Sequence, residues 1–486
     1  LNEAREYVRS ALTFFAILLC YGLSIVAIDV NSPLRLGEIL QAAAFLHFSW
    51  GSFFGWIAQT PRGAPLSYLV QLPFALISPD SRLLLRIPSL LSALLSGFVF
   101  FALAKRIPLQ RPLLALILFL AIPTHLAYAS QARPYELGLF LLLLATVSFF
   151  TLVNKPSVVK ALGYAILLTA CLYTEISCYL PAVGYLLSLL GFANLKTYRR
   201  ALWYVLAATI VPLAVYAPYY AWAGVQRSGD WWLTEQFPAY AVKVPGIEAL
   251  LSLDSSGLNP WFGLALMGVL LFGVIGGVWS AMPLGSYPEG APPPRAELVR
   301  VRAILFCLAG GAIVTFLAET AFSGFYDLVF APYEILWAVP GLIIVFCAAL
   351  DVLVRLPAMK AISPIAPAVG IFAILLCLPG DLDYLRTRPA DMAELTARVR
   401  PQLTGDACLV FVSERLSKYF FEVFDPGLQK YECQNFFHKR AVLAIHPFVR
   451  PDQERDARVF FRGLDFKETH IDNLDGGKVI TADSQP

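Results

Sequence analysis

Long apolar runs follow one another along most of this chain, and a water-soluble core has no room for so many. Runs of spanning length fall near residues 11–29, 83–104, 112–130, 134–153, 201–220, 261–280, 303–322, 331–351 and 362–379. The stretch 160–193 is too long for one crossing and carries Glu175 near its middle, so it reads as a tight pair turning around Tyr173–Ser177. Pro65–Ile77 is shorter than the ~20 residues that cross the hydrocarbon, and reads as an interfacial or re-entrant segment. The expectation is an α-helical polytopic membrane protein of about eleven transmembrane helices. Residues 11–30 have no small-residue cleavage site after them and read as a retained helix rather than a signal peptide.

Charge supports this reading. Charged residues are 15% of the 486 and hydrophobic ones 58%, as expected where each ionised group at a helix centre costs about 2.5–3.5 kcal/mol. The acidic residues crowd toward one end: residues 381–486 hold 17 of the 34. The chain therefore divides into a membrane domain, 1–380, with interfacial helices in its first outer loop, and a soluble α/β domain, 381–486.

In that tail, Asp391–Arg400 and Ser413–Phe421 read as helices and Gly405-Asp406 as a turn. Cys408–Val412, Ala441–Pro447 and Arg458–Phe461 read as strands. In the first outer loop, Ile39, Ala42, Phe45, Leu46, Phe53 and Phe54 give 38–56 an apolar helical face broken by Gly51 and Gly55, suited to a helix along the membrane surface. Residues 246–253 have a similar pattern.

Basic residues orient the spans. Lys105, Arg106 and Arg111 share a side with Lys155 and Lys160, with Lys196, Arg199 and Arg200, with Arg295, Arg300 and Arg302, and with Arg355 and Lys360. An excess of Lys and Arg in short loops marks the cytoplasmic face. The first loop, the Ser130–Tyr135 turn, the Glu175 turn and the soluble domain then lie outside.

Several function classes drop out. The net charge of +3 is dispersed, without a basic run able to track phosphates, so nucleic acid is not an expected partner. No compact metal motif, glycine-rich phosphate loop or nucleophile elbow is present, and neither metal nor cofactor is expected. Cys20, Cys171, Cys178, Cys307 and Cys347 lie in apolar segments and read as core filler.

The outer helix ends gather Glu38, His47, His125, Arg133, Glu136, Glu175, Glu319, Asp327 and Glu334. Singly these have bland readings: Glu38 caps a surface helix, Arg133 anchors at the headgroups, His125 bonds a buried carbonyl. Together, acids and an arginine on one face suit transfer from a lipid-anchored phosphate. A carboxylate takes the acceptor's proton while cations hold the phosphate leaving group, and arginine's planar fork can make two bonds to it.

Landmarks spread over about residues 10–415 carry a resemblance. They are Leu36-Gly37-Glu38 after the first span, Ala64-Pro65-Leu66-Ser67-Tyr68, Leu85-Arg86-Ile87-Pro88-Ser89, Ser130-Gln131-Ala132-Arg133-Pro134-Tyr135-Glu136-Leu137 and Leu172-Tyr173-Thr174-Glu175, with Asp391–Val412 in the tail. The chain resembles bacterial membrane glycosyltransferases of the protein O-mannosyltransferase and aminoarabinose-transferase type, which have the GT-C fold. The resemblance implies transfer of a sugar, with inversion, from a polyprenyl-phosphate donor to an acceptor on the outer face of the bacterial inner membrane, with the C-terminal domain periplasmic or extracellular. It implies Glu38 as catalytic base; from the polar groups gathered at the outer helix ends, Arg133 and Arg86 are the expected donor-phosphate contacts, and His125, Glu136, Glu175 and Glu319 the supporting cavity residues. That family carries an acidic pair in the first loop, where this chain has Gly37 before Glu38, and a histidine where this chain has Glu175. A second reading follows from Gly37: a catalytically inactive GT-C-like subunit with a structural role, whose partners are other membrane protein subunits.

Overall fold

The computed structural model describes residues 2–31, 34, 36–46, 48–59, 65–78, 81–107, 109, 111–191, 196–226, 303–315, 317–318, 336–355, 392–411, 423–433, 439–445, 451–463, 466–474 and 477–484. Its helices are α1 (Asn2–Asn31), α2 (Leu36–Leu46), α3 (Trp50–Gln59), α4 (Pro65–Ala75), α5 (Arg82–Arg106), α6 (Pro112–Leu120), α7 (Pro123–Ala129), α8 (Tyr135–Asn154), α9 (Val158–Leu172), α10 (Leu180–Leu190) and α11 (Lys196–Gln226). Past a long interval come α12 (Ala303–Thr315), then α13 (Val339–Arg355) and α14 (Met392–Val399). Among the described residues, four helical stretches have the length and apolarity to cross a membrane: Ser10–Ala27, Arg82–Arg106, Tyr135–Asn154 and Tyr198–Ala223. The protein is a polytopic, largely helical membrane protein.

Local chemistry sets the helix ends. Ser81 caps α5 by accepting from the Leu84 N–H at 3.4 Å, and Lys105 and Arg106 occupy its last turn, where the helix dipole favours cations. Ser157 caps α9 through the Lys160 N–H. The run 112–130 is not one helix: Ile122 is extended and Pro123 restarts the chain as α7, since proline has no N–H to continue α6. The pair in 160–193 forms as the sequence implies. α9 ends at Leu172, and after the turn a 3₁₀ segment, Ile176–Tyr179, leads into α10. α4 is short and contains Pro73. The runs 261–280 and 362–379, the segment 246–253 and the junction at 380/381 lie outside the described residues.

The bundle packs α5 against α8, and α9 against both α8 and α11. Phe100 stacks on Phe119 with ring centroids 4.4 Å apart. α10 and α12 cross backbone to backbone: a Cβ on Gly184 would collide with the Gly310 carbonyl and the Gly311 Cα. Small residues permit such approach where no hydrophobic drive between helices exists. Cys171, Cys178, Cys307 and Cys347 are buried free thiols, but Cys20 is exposed, so it fills no core.

α2 ends at Leu46 and α3 begins at Trp50, while Gly51 and Gly55 lie inside α3. Ile39, Ala42, Phe45 and Phe53 are buried in one cluster with Leu395, Val399, Leu409, Val442 and Val479 of the C-terminal region. The apolar face of the first loop therefore continues into the core of the tail, which ties that domain to Glu38's side of the bundle.

The tail is a mixed sheet of β1 (Ala407–Phe411), β2 (Arg440–Ile445), β3 (Phe466–Leu474) and β4 (Gly477–Ser484), in the order β1-β2-β4-β3. β1 and β2 are parallel, and the other pairs antiparallel. Gly405 makes the turn into β1 with φ 65°, a left-handed conformation suited to glycine. Arg458–Phe461 is not a strand; it belongs to helix α15 (Pro451–Gly463), which Pro451 opens. The expected helix at 413–421 lies outside the described residues. Cys408 and Cys433 form a disulfide, Cα atoms 5.0 Å apart, fastening β1 to the segment after Tyr431.

Candidate functional site

Glu38 begins the site. It stands in the first turn of α2, where a helix N-terminus favours a carboxylate, yet it is wholly buried. Arg86, one turn into α5 and 1% exposed, meets it with both arms of its fork: Nε donates to Oε1 and Nη2 to Oε2, each at 2.8 Å. The Ala132 N–H donates to Glu38 Oε1 at 2.7 Å. A buried charge is tolerated when paired and hydrogen-bonded in this way. The result is a knot joining α2, α5 and the segment before α8, three of the sequence landmarks. Where the sequence reads Glu38 as a catalytic base or as the cap of a surface helix, both of its carboxylate oxygens are bonded inside the protein.

Arg133 follows directly. Its carbonyl accepts from Ser89 Oγ at 3.2 Å, one turn past Arg86, so the backbone here is held by α5. Its partly exposed side chain donates to Tyr135 Oη at 3.0 Å and lies 5.4 Å from that ring's centroid. Arg133 is thus partly exposed, whereas Arg86 is buried against Glu38.

The Glu175 turn joins from another direction. The Leu66 N–H at the start of α4 donates to the Tyr173 carbonyl at 2.9 Å, bringing the remaining bundle landmarks together. Glu175 is buried, and Ser177 Oγ reaches its Oε1 at 3.4 Å. Ser177 in turn accepts from Trp337 Nε1 at 2.9 Å. Trp337 packs so closely on Gly138 that a Cβ there would sit 2.9 Å from the indole. Ser177 and Trp337 are supports that the sequence reading missed; a buried tryptophan N–H that must find an acceptor was the available signal.

His125 and Glu136 form a separate buried pair. His125 Nε2 is 3.6 Å from Glu136 Oε2, and Nδ1 is hydrogen-bonded to the Tyr21 hydroxyl of α1. Both are fully buried, and neither Glu136 carboxyl oxygen has a hydrogen-bond partner among the described residues. His125 therefore bonds a tyrosine, not a backbone carbonyl. Glu319, His47, Asp327 and Glu334 lie outside the described residues. Among those described, no group of three His, Cys, Asp or Glu side chains could hold a metal ion. At the other end of the bundle, Arg111 and Asp351 approach to 3.8 Å.

These elements recur together in a known architecture. ArnT from Cupriavidus metallidurans in the apo state superposes with a TM-score of 0.59 at 14% identity, covering 98% of each chain. ArnT from the same organism bound to undecaprenyl phosphate gives 0.57 at 14% identity, covering 97% of each. The chain shares the fold of ArnT. The match is distant in sequence but runs from end to end, membrane bundle and sheet domain together. No protein-family model matches the chain, and no curated protein does.

Proposed function

We propose that the chain is a glycosyltransferase moving a sugar from a polyprenyl-phosphate donor to an acceptor on the outer face of the membrane. The observation that carries this reading is the Glu38–Arg86–Ala132 knot beside the partly exposed Arg133, on a fold that one known example presents with undecaprenyl phosphate bound. In the reaction the acceptor's hydroxyl oxygen attacks the anomeric carbon. The carbon–oxygen bond to phosphate breaks, and the lipid phosphate leaves with the bonding pair. The acceptor's proton needs a carboxylate within about 2.6–3.2 Å. Glu38 is that base in our reading, although Arg86 and the Ala132 N–H occupy its carboxylate oxygens as it stands. Donor phosphate supplies the remedy. It offers Arg86 an equivalent two-bond partner, so that binding draws the guanidinium off Glu38 and frees the carboxylate. Arg133 and Arg86 then hold the leaving group, and His125, Glu136 and Glu175 support the cavity. The setting is a bacterial inner membrane, with residues 381–486 as a periplasmic or extracellular domain.

A second reading has its own support. Gly37 supplies no carboxylate, and a Glu38–Arg86 pair that never opens would leave an inactive subunit that serves assembly. Release of undecaprenyl phosphate from hexose-carrying donors by the purified protein in nanodiscs separates the two. The Glu38→Gln/Arg86→Gln double variant removes both charges together and should lose about 10²–10⁴-fold of that release. Full release by the variant overturns Glu38 as base; no release by the unaltered protein from any donor favours the inactive subunit.

A further inference from the structure

Among the described residues the amide oxygens of Gln41 and Gln71 have no hydrogen-bond partner, though both residues are about 98% buried. They stand on helices α2 and α4, which pack against each other. Phe45 at the end of α2 meets Tyr68 near the start of α4, with ring centroids 5.9 Å apart. Glu38 at the start of α2 meets Arg86 in the second turn of α5. Gln41 is one turn from Glu38 on α2, and Gln71 is one turn from Tyr68 on α4. Each residue shares its face with the contacts that define this packing: Glu38, Ala42 and Phe45 on α2, Tyr68, Leu72 and Ala75 on α4.

Evolution could fill such positions with leucine at no cost to packing. A buried amide left unsatisfied destabilises a fold, while an apolar group of the same shape is neutral or better. Side chains that weaken the resting protein point to a ligand that completes them. Amides are neutral and carry donors and acceptors together, which fits hydroxyl groups and does not fit phosphate or an alkyl chain. The knot and Arg133 already account for phosphate. We propose that Gln41 and Gln71 form a subsite for the sugar hydroxyls of the donor, one helical turn from the reacting centre. This inference rests on the transferase reading above and adds to it the residues that recognise the sugar rather than the lipid phosphate.

The experiment compares binding of undecaprenyl phosphate, bare and carrying a hexose, to the full chain in nanodiscs, with thermal unfolding of each variant alongside. Gln41→Leu and Gln71→Leu should each weaken the hexose-carrying lipid about three- to tenfold while leaving the bare lipid unchanged. Their unfolding midpoints should be equal to or above that of the unaltered chain, which a purely structural amide would not allow. Unchanged binding of the hexose-carrying lipid means that only water occupies the site and overturns the inference, as does an equal loss for both lipids or a lowered midpoint. Failure of the unaltered chain to bind either lipid would instead bring down the transferase reading and this subsite with it.

Discussion

Glu38 carries its charge inside the protein, answered by Arg86, and that placement changes what a single exchange there can report. Glu38→Gln strands a buried guanidinium, which typically costs about 3–5 kcal/mol. The single variant should therefore unfold at lower denaturant than the double variant Glu38→Gln/Arg86→Gln, in which neither charge remains. Equal midpoints would mean that the pair does not hold α2 to α5. Arg133 is the opposite case, because its side chain is partly exposed and its backbone is fixed by Ser89. Arg133→Lys keeps the charge and loses the fork, so lipid-phosphate binding should weaken about tenfold while the unfolding midpoint stays in place. Unchanged affinity would remove Arg133 from the phosphate site.

At the scale of elements, the sheet domain holds a test that needs no membrane chemistry. Arg440 on β2 faces Asp483 on β4 across the ladder, with Nε 2.7 Å from Oδ1. The guanidinium holds the Asp483 carboxyl below its ordinary range. A depressed folded-state pKa contributes stability above the unfolded value of about 3.9, and that stability disappears as pH falls through the lower folded value. The pair is about two-fifths exposed, so its worth is only about 0–1 kcal/mol. The protection of β4 amides from hydrogen exchange, taken relative to the intrinsic rate at each pH, should fall less on acidification in Asp483→Asn than in the unaltered chain; an identical fall would mean the pair contributes nothing. The same region shows where sequence patterns stop being informative. The α9–α10 pair was legible because Glu175 interrupts a run too long for one span. β3 and β4 were not: β3 reads Phe-Lys-Glu-Thr-His-Ile-Asp-Asn-Leu, with few apolar residues, since much of it is exposed. Arg458–Phe461 misled in the other direction, because a short apolar run does not distinguish a strand from one face of a helix. In the site, Glu38, Arg86 and Arg133 could be named from local motifs. The partnership of Glu38 with Arg86 spans 48 residues and that of Trp337 with Ser177 spans 160, and periodicity carries no information over such distances.

For the whole molecule, the basic ends of the helices and the acidic site lie at opposite poles. α5 runs from Arg86 to Lys105 and Arg106, and α8 from Glu136 to the Lys155 that follows it. In the topology proposed from the positive-inside bias the knot lies outside, and the tail, which shares a core with α2 and α3, lies with it. The Cys408–Cys433 disulfide agrees, since such bonds persist in oxidising compartments. Closing a separation of 25 residues, it should stabilise the tail by about 3 kcal/mol. In intact cells, a membrane-impermeant reductant followed by a thiol-reactive polymer should label both cysteines and lower the tail's resistance to protease. Protection of both until the cells are broken would place the domain on the cytoplasmic side and reverse the topology. The central claim joins all three scales: donor phosphate is held by Arg133 and releases Glu38 from Arg86. The most direct measurement is a cryo-electron-microscopy structure of the chain in nanodiscs with undecaprenyl phosphate. The account predicts phosphate density in contact with Arg133, with the Arg86 guanidinium turned from Glu38 toward it. Density elsewhere, or a phosphate at Arg133 with the Glu38–Arg86 pair still closed, would contradict it.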